Sequence, residues 1–201
     1  MKAVIFDWGG VLIDDPASRM HGYFSSYFGV PVQEFEKTRK KFEDDFQKGI
    51  ISEGIFWELV CKELGVQKPK TLLWGRAFKA TYSPIKEMFA LVSDLRNKGY
   101  KTGLLSNTEE PSVTFFEENK NEYGMFDAAV FSCREGTAKP EKKIYEIVLK
   151  RLGVNTGDAV FIDNKLEFVD GAKRVGMKAV LFKNFEQLKK ELDSLIDLSG
   201  L

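Results

Sequence analysis

MKAVIFDWGGVL, residues 1–12, is the stretch of sequence that decides the fold of this chain. Residues 2–6 are largely apolar and β-branched, which predicts a short buried strand. The strand ends at Asp7, and Gly9 and Gly10 follow almost at once. Glycines beside a carboxylate let the backbone turn sharply and bring amide N–H groups close to an anion. Taken alone, the segment fits an aspartate that only caps a turn as well as it fits one that performs chemistry.

Two further predicted strands also end in polar residues. Residues 100–105 form a strand-like run that stops at Ser106-Asn107-Thr108. Residues 158–162 form another, which stops at Asp163-Asn164. In a parallel sheet, ligands bind beyond the carboxyl ends of the strands. The rule predicts that the polar residues after these strands lie together at one edge of the sheet.

A lysine belongs to the same predicted cluster. Lys139 and Pro140 open a helix-patterned segment that follows a loop containing Gly136. Taken separately, Lys139 fits a solvated lysine before a helix, and Ser106 fits a turn residue after a strand. The parallel-sheet rule instead brings both of them to Asp7, although the three residues are far apart in the chain.

Charge and length limit the partners that this chain can have. It has 201 residues, enough for one core and a small insertion. Lysine and arginine together number 30, and so do aspartate and glutamate, so no basic field indicates nucleic acid. The apolar runs have the length of strands, so none is expected to span a membrane. The N-terminus runs directly into a strand without a signal-peptide pattern, which predicts a cytoplasmic protein.

The cysteines and the single histidine carry little chemical signal. Cys61 and Cys133 lie far apart and lack the spacing of metal ligands, so we expect reduced, partly buried thiols. His21 cannot build a metal site by itself, and a catalytic role for it is the less favoured interpretation.

Helical periodicity dominates residues 15–82. The pattern predicts helices at residues 18–28, 32–48, 53–64 and 70–80, with glycine or proline between them. The charged run 36–45 is expected to be a solvated face of one of these helices. Most aromatic residues of this region are expected to fill its core rather than to bind a substrate.

Strands and helices alternate in the rest of the chain. Ser83 and Pro84 predict a helix start, because serine caps helices and proline fits their first turn. Residues 178–182 are the last predicted strand, and residues 186–195 are a closing helix. Such alternation implies a doubly wound parallel sheet.

The predicted fold class is therefore α/β with an inserted helical bundle. Residues 1–14 and 83–201 are expected to form the core. Residues 15–82 are expected to form the insertion between the first strand and the remainder of the sheet.

Four motifs in a fixed order carry a resemblance to a known family. FDWGGVL begins at Phe6, LLSNT at Leu104, AKPEKKIY at Ala138 and FIDNKLEFVDGA at Phe161. In this order they resemble the four motifs of the haloacid dehalogenase superfamily of hydrolases. The similarity is greatest to the subgroup that contains bacterial sugar-phosphate phosphatases and the N-terminal phosphatase domain of soluble epoxide hydrolases. It implies a Rossmann-like, doubly wound core with a small inserted helical cap.

The resemblance gives catalytic roles to Asp7 and Lys139. A carboxylate can attack phosphorus and form an aspartyl-phosphate, which divides a difficult hydrolysis into two easier steps. Lys139 supplies a positive charge that holds the phosphate. The expected phosphate-binding groups are the Lys139 amine, the Ser106 hydroxyl and the backbone N–H groups of Trp8, Gly9 and Asn107.

The resemblance also implies a Mg²⁺ cofactor that offsets the repulsion between carboxylate and phosphate. The expected ligands are Asp7, the Gly9 carbonyl, Asp163 and Asn164. Two of these positions depart from the family pattern. Gly9 stands where the family has a second aspartate that protonates the leaving group, a role worth about 10²–10⁴ in rate. Asn164 stands where phosphatases have an aspartate, so it should hold Mg²⁺ less tightly.

The predicted function is Mg²⁺-dependent hydrolysis of a small phosphorylated metabolite through Asp7. Asp14 and Asp15 follow the first motif and could replace the missing acid, although both are rather expected to form the turn that enters the cap. The alternative is a catalytically weak relative that binds a phosphorylated ligand or a protein partner, which Gly9 and Asn164 favour. The motifs leave the exact substrate and the oligomeric state open.

Overall fold

A five-stranded sheet is the centre of the molecule. The computed structural model describes residues 1–196, apart from the side chains of residues 120 and 121. The strands are β1 (Ala3–Phe6), β2 (Lys101–Ser106), β3 (Ala128–Phe131), β4 (Ala159–Asp163) and β5 (Lys178–Leu181). Every neighbouring pair is parallel, and the order across the sheet is β3-β2-β1-β4-β5. The order places β1 in the middle, so Asp7 leaves the sheet at its centre.

Helices cover the sheet and fill the segment between β1 and β2. The first six are α1 (Ala17–Phe28), α2 (Val32–Lys40), α3 (Glu43–Gln47), α4 (Glu53–Leu64), α5 (Trp74–Thr81) and α6 (Lys86–Asn97). The next six are α7 (Glu110–Glu118), α8 (Lys120–Tyr123), α9 (Ser132–Glu135), α10 (Lys142–Leu152), α11 (Leu166–Arg174) and α12 (Phe185–Asp193). A 3₁₀ turn, Thr156–Asp158, precedes β4.

Both faces of the sheet are buried, which confirms the doubly wound α/β fold. Successive side chains of a strand point to opposite faces. In β1, Val4 and Phe6 pack into one apolar cluster with α6 and α12, whereas Ala3 and Ile5 pack into a second with α10 and α11. Burial on both faces explains why β1 and β4 are continuous apolar runs rather than alternating ones.

The predicted elements are largely present, with corrections at their ends. The predicted helix 32–48 is divided into α2 and α3, because the Lys41 and Phe42 N–H groups bond to carbonyls three residues back, at 3.2 and 3.0 Å. The predicted helix 70–80 begins only at Trp74. Strand β3 was not among the predicted elements. This strand is short, it contains the small residue Ala129, and the polar residue Asp127 precedes it. The segment therefore lacks the β-branched pattern that predicts a strand.

The predicted helix start at Ser83 and Pro84 is wrong. Pro84 forms an antiparallel bridge with Ile13, and the Asp14 N–H donates to the Ser83 carbonyl at 2.9 Å. The helix begins at Lys86 instead. A tertiary pairing therefore overrides a favourable local signal, and it ties the two ends of the helical insertion together.

Five helices and no strand occupy the insertion between β1 and α6 in the described chain. Its aromatic residues are mostly buried, as expected, and they contact one another. The buried ones are Phe24, Phe35, Phe46, Phe56, Trp57, Trp74 and Phe78. The exact division of the chain into core and cap, at residues 15 and 82, stays a prediction.

The described part of the chain shows no membrane-spanning helix and has two free thiols. Within residues 1–196, no helix combines the length and the apolar character needed to cross a membrane. Cys61 is buried, Cys133 is half-buried, and both are free.

Close packing at Gly171 gives a test of the fold beneath the fourth motif. A Cβ at this position would lie 2.6 Å from Tyr145 Oη and 2.9 Å from Pro140 Cβ. We expect Gly171→Ala to lower the free energy of unfolding by about 1–3 kcal/mol, because the helix must move away from its neighbours. Urea denaturation measures the change.

Gly22→Ala is the matched control, because Gly22 is also helical and has open space where a Cβ would be placed. It should raise the free energy of unfolding by about 0.5–1 kcal/mol. Equal effects of the two substitutions would contradict the packing described here.

Candidate active site

Three charged side chains meet at the carboxyl edge of the sheet. Asp7 follows β1, Asp163 ends β4, and Lys139 reaches them from the loop before α10. Lys139 Nζ lies 2.7 Å from Asp7 Oδ1 and 2.6 Å from Asp163 Oδ2. All three side chains are at least nine-tenths buried. The structure thus brings together three of the residues that the motifs single out.

The amine of Lys139 stays charged in this buried place. Burial alone would lower its pKa, but Asp7 and Asp163 outweigh burial, so its pKa is raised. For Asp7 the balance is different. Burial raises the pKa of Asp7 to about 6, while Lys139 and the Trp8 backbone N–H oppose that rise. Asp7 is therefore mainly a carboxylate at neutral pH, held by one cation.

Asn107 positions Lys139 through its side chain. Its Nδ2 donates to the Lys139 carbonyl at 2.9 Å, and its Oδ1 accepts from the Lys139 N–H at 2.8 Å. A pair of reciprocal hydrogen bonds fixes the loop relative to the end of β2. Asn107 was expected to bind phosphate through its backbone N–H, and that role stays a prediction, as does the donor role of buried Ser106.

The turn after Asp7 is held by the Trp8 carbonyl, which accepts N–H groups from Val11, Leu12 and Ile13 at 3.3, 2.9 and 3.1 Å. Gly10 has φ +84°, in the left-handed region that favours glycine. The side chain of Trp8 points into the core and donates to Tyr123 Oη at 3.0 Å. The role of the Trp8 backbone N–H as a phosphate donor stays a prediction.

Asn164 supplies an oxygen atom that lacks a partner. Its Oδ1 is buried and makes no hydrogen bond among the described residues. The side chain packs on Gly10, where a Cβ would come within 2.2 Å of Asn164 Nδ2. A buried carbonyl oxygen without a donor is costly, so this atom fits a cation ligand.

Oxygen atoms make up the whole donor set that could hold a metal. The set comprises the Asp7 and Asp163 carboxylates, Asn164 Oδ1 and the Gly9 carbonyl. Hard cations such as Mg²⁺ prefer these ligands. In the described part of the chain, no group of three or more acidic, histidine or cysteine side chains that could hold a metal occurs, so a site here would depend on the amide oxygen of Asn164 as well.

Asp14, Asp15 and His21 were also considered in the sequence, and two of them line a cavity beside the site. Asp15 Oδ1 caps the Ala17 N–H at 2.9 Å and lines the cavity. Asp14 is half-exposed, 3.8 Å from Arg19, and does not line the cavity. His21 does line it and lies 2.9 Å from Glu36.

A cavity of about 550 Å³ lies between the sheet edge and the helical insertion. Asp7, Ser106 and Lys139 line it from the sheet, and Trp74 and Phe78 line it from α5. Its volume suits a small organic ligand.

Further polar residues of this cavity lie outside the predicted site, among them Arg39, Glu43, Gln47 and Glu109. Residues 36–45 were expected to form a solvated helix face, and the structure corrects this for two of them. The side chains of Arg39 and Glu43 are only 12% and 28% exposed and form an ion pair at 3.0 Å. In the sequence, Glu109 could have been indicated only by its position directly after the LLSNT motif.

Glu109 is a buried carboxyl with an uncharged hydrogen-bond partner. Gln47 Nε2 donates to its Oε1 at 3.1 Å. Burial raises the pKa of Glu109 to about 7, although Arg39 and Gln47 oppose the rise. Glu109 lines the same cavity as Asp7.

Comparison with known proteins places these residues in a family context. A family model for haloacid dehalogenase-like hydrolases matches residues 1–176. A glyceraldehyde 3-phosphate phosphatase from Methanothermobacter thermautotrophicus is 30% identical over 221 aligned residues, which cover 100% of this chain and 93% of that protein. A sesquiterpene phosphatase from Aspergillus oryzae is 26% identical over 184 residues, 88% of this chain and 87% of that protein.

A solved structure shares the fold. It is a haloacid dehalogenase family enzyme from Bacteroides thetaiotaomicron in complex with magnesium and inorganic phosphate. The TM-score is 0.74 at 21% identity, and the alignment covers 94% of this chain and 98% of that one.

The raised pKa of Glu109 predicts a specific dependence of stability on pH. The folded protein keeps the proton up to about pH 7, whereas the ordinary pKa is 4.5. The stability from the protonated carboxyl is full below pH 4.5 and is lost as the pH rises through about 7. Glu109→Gln keeps a neutral side chain at every pH. Its stability relative to the wild type should therefore increase by about 1–3 kcal/mol across that interval.

Urea denaturation at several pH values measures the difference. Glu118→Gln, on the exposed side of α7, is the matched control for the loss of one glutamate. A difference between Glu109→Gln and the wild type that does not vary with pH would contradict the protonated state of Glu109.

Proposed function

This chain belongs to the haloacid dehalogenase-like hydrolases, and we propose that within this family it is a phosphatase for a small phosphomonoester. The observation that carries the proposal is the buried group of Asp7, Lys139 and Asp163 at the floor of a cavity. The names of the two curated relatives, both phosphatases, support the same chemistry.

Asp7 is the proposed nucleophile. Its carboxylate attacks phosphorus, the bond to the substrate alcohol breaks, and an aspartyl-phosphate forms. Water then hydrolyses that intermediate and releases phosphate. Asp7 is mainly ionised at neutral pH, because its pKa of about 6 lies below it.

Lys139 supplies positive charge that offsets the negative charges of this reaction. A phosphate dianion beside two carboxylates would be repelled, and the buried ammonium group offsets part of that repulsion. Asn107 keeps the ammonium group in place through the loop backbone. The Ser106 hydroxyl and the backbone N–H groups of Trp8 and Gly9 are the proposed donors to the phosphoryl oxygens.

Mg²⁺ is the proposed cofactor, and Asp7, Asp163, Asn164 and the Gly9 carbonyl would hold it. When bound, it supplies positive charge that lowers the repulsion between nucleophile and phosphate. The unpartnered Asn164 Oδ1 supports this assignment from the chain itself. The structural relative in complex with magnesium and phosphate is consistent with it.

A second candidate function follows from Gly9. This residue places no acid beside the leaving group, so the chain could bind a phosphorylated ligand and turn it over only slowly. Phosphate release in Mg²⁺ separates the two functions. Hydrolysis of phenyl phosphate, whose leaving group needs little protonation, tests the phosphatase even when alkyl esters react slowly.

Asp7→Asn tests the nucleophile. The two side chains have nearly the same shape, but an amide does not attack phosphorus. We expect phosphate release from phenyl phosphate to fall below about one thousandth of the wild-type rate, with the fold retained. Circular dichroism checks the fold. Asp193→Asn, an exposed aspartate on α12, should keep the wild-type rate. Substantial turnover by Asp7→Asn would refute the assignment.

Asn164→Asp tests the metal site. An added negative charge should bind Mg²⁺ more tightly, so the Mg²⁺ concentration for half-maximal activity should fall by about tenfold or more. Titration calorimetry with Mg²⁺ alone gives the same comparison without turnover. Asn155→Asp, at an exposed position before the 3₁₀ turn, is the matched control and should leave the titration unchanged. Unchanged Mg²⁺ affinity in Asn164→Asp would place the cation elsewhere.

A further inference from the structure

Two buried N–H groups on the insertion side of the cavity lack acceptors. Arg39 Nε and Trp74 Nε1 are buried and make no hydrogen bond among the described residues. Both residues line the cavity that also contains Asp7. Buried donors without acceptors are rare in folded proteins, because the lost hydrogen bond to water is not replaced. Two such donors at one cavity indicate a ligand that brings an acceptor.

Arg39 is fixed by its neighbours although Nε has no partner. Its Nη2 donates to Glu43 Oε1 at 3.0 Å, and Gln47 Nε2 lies 3.4 Å from the same oxygen. Gln47 Nε2 also donates to Glu109 Oε1 at 3.1 Å. The hydrogen-bonded row therefore joins α2 and α3 to the start of α7. A guanidinium held in this way presents Nε–H with little loss of side-chain entropy.

The charges on the insertion side of the cavity favour a neutral polar group over a second anion. The acidic lining residues there, Asp15, Glu43 and Asp44, outnumber the basic ones, Arg39 and Lys40, and Glu43 already pairs with Arg39. A second phosphate or a carboxylate on the substrate would meet these acidic residues. A hydroxyl group accepts from Arg39 Nε–H or Trp74 Nε1–H and can donate its own proton to a carboxylate oxygen.

We propose that Arg39 determines substrate specificity by donating a hydrogen bond, together with Trp74, to a hydroxyl oxygen on the alcohol part of the phosphomonoester. The inference rests on the proposed function, because Asp7 and Lys139 hold the phosphoryl end of the same molecule. The residue lies on the insertion, whereas the reacting groups lie on the sheet. The substrate therefore spans the cavity between them.

Matched esters test this inference. Glycerol 1-phosphate and propyl phosphate have the same carbon chain, and only the first carries hydroxyl groups. The ratio of their kcat/KM values in Mg²⁺ is measured for the wild type, Arg39→Met and Lys40→Met. Lys40 is exposed and lines the same cavity, so it controls for the loss of one positive charge.

We expect the wild type to prefer glycerol 1-phosphate, and Arg39→Met to lose about 10- to 100-fold of that preference. Propyl phosphate should react at nearly the wild-type rate in both variants, and Lys40→Met should keep the preference. Full preference in Arg39→Met, or an equal loss for both esters in that variant, would overturn the proposal.

Two further measurements test the proposal if Arg39→Met does not fold or if the wild type does not hydrolyse these esters. If Arg39→Met does not fold, Trp74→Phe removes the indole N–H together with the five-membered ring, and it should also lower the preference. If the wild type hydrolyses neither these esters nor phenyl phosphate, the proposed function fails. Titration calorimetry with glycerol 1-phosphate and propyl phosphate then tests the recognition alone, and equal affinities of the wild type for the two would overturn it.

Discussion

The contact of one buried lysine with two buried aspartates is the constraint on which the rest of this structure depends. Lys139 Nζ lies within 2.7 Å of Asp7 and 2.6 Å of Asp163, and the ammonium group is almost completely buried. A single buried charge would destabilise the fold, because removing one ion from water costs several kcal/mol. The attraction between opposite charges offsets a cost of that order. The three groups are therefore stable only together, and their backbones must meet at one point.

The surrounding packing serves that requirement. Asn107 fixes the Lys139 backbone from the end of β2, which lies beside β1 in the sheet. Gly171 allows α11 to approach Tyr145 and Pro140 more closely than any side chain would permit. Gly10 turns the chain away from Asp7 and leaves room for Asn164. Each of these contacts brings two segments of the chain close together around the buried charges.

The insertion contributes the other half of the cavity and different chemistry. The sheet edge provides the charged groups that we propose hold a phosphoryl group, whereas the insertion provides aromatic surface and the hydrogen-bonded row from Arg39 to Glu109. Contacts with the core hold the two sides together. The Ser132 hydroxyl donates to the Gln47 carbonyl at 2.6 Å, and Lys48 Nζ lies 2.7 Å from Glu141. In the proposed function, substrate selection and bond cleavage thus fall to separate parts of the molecule.

The sequence by itself determined the parallel α/β core and the meeting of Asp7, Lys139 and Asp163. It could do so because a polar residue at the end of an apolar strand is a local signal, and parallel strands share one carboxyl edge. The tertiary structure alone decided the pairing of Ser83 and Pro84 with Ile13 and Asp14, and it alone showed which charged residues of the run 36–45 face the cavity. A charged residue on a helix has the same local pattern whether it faces solvent or a buried cavity, and only the neighbouring elements settle which of the two it faces.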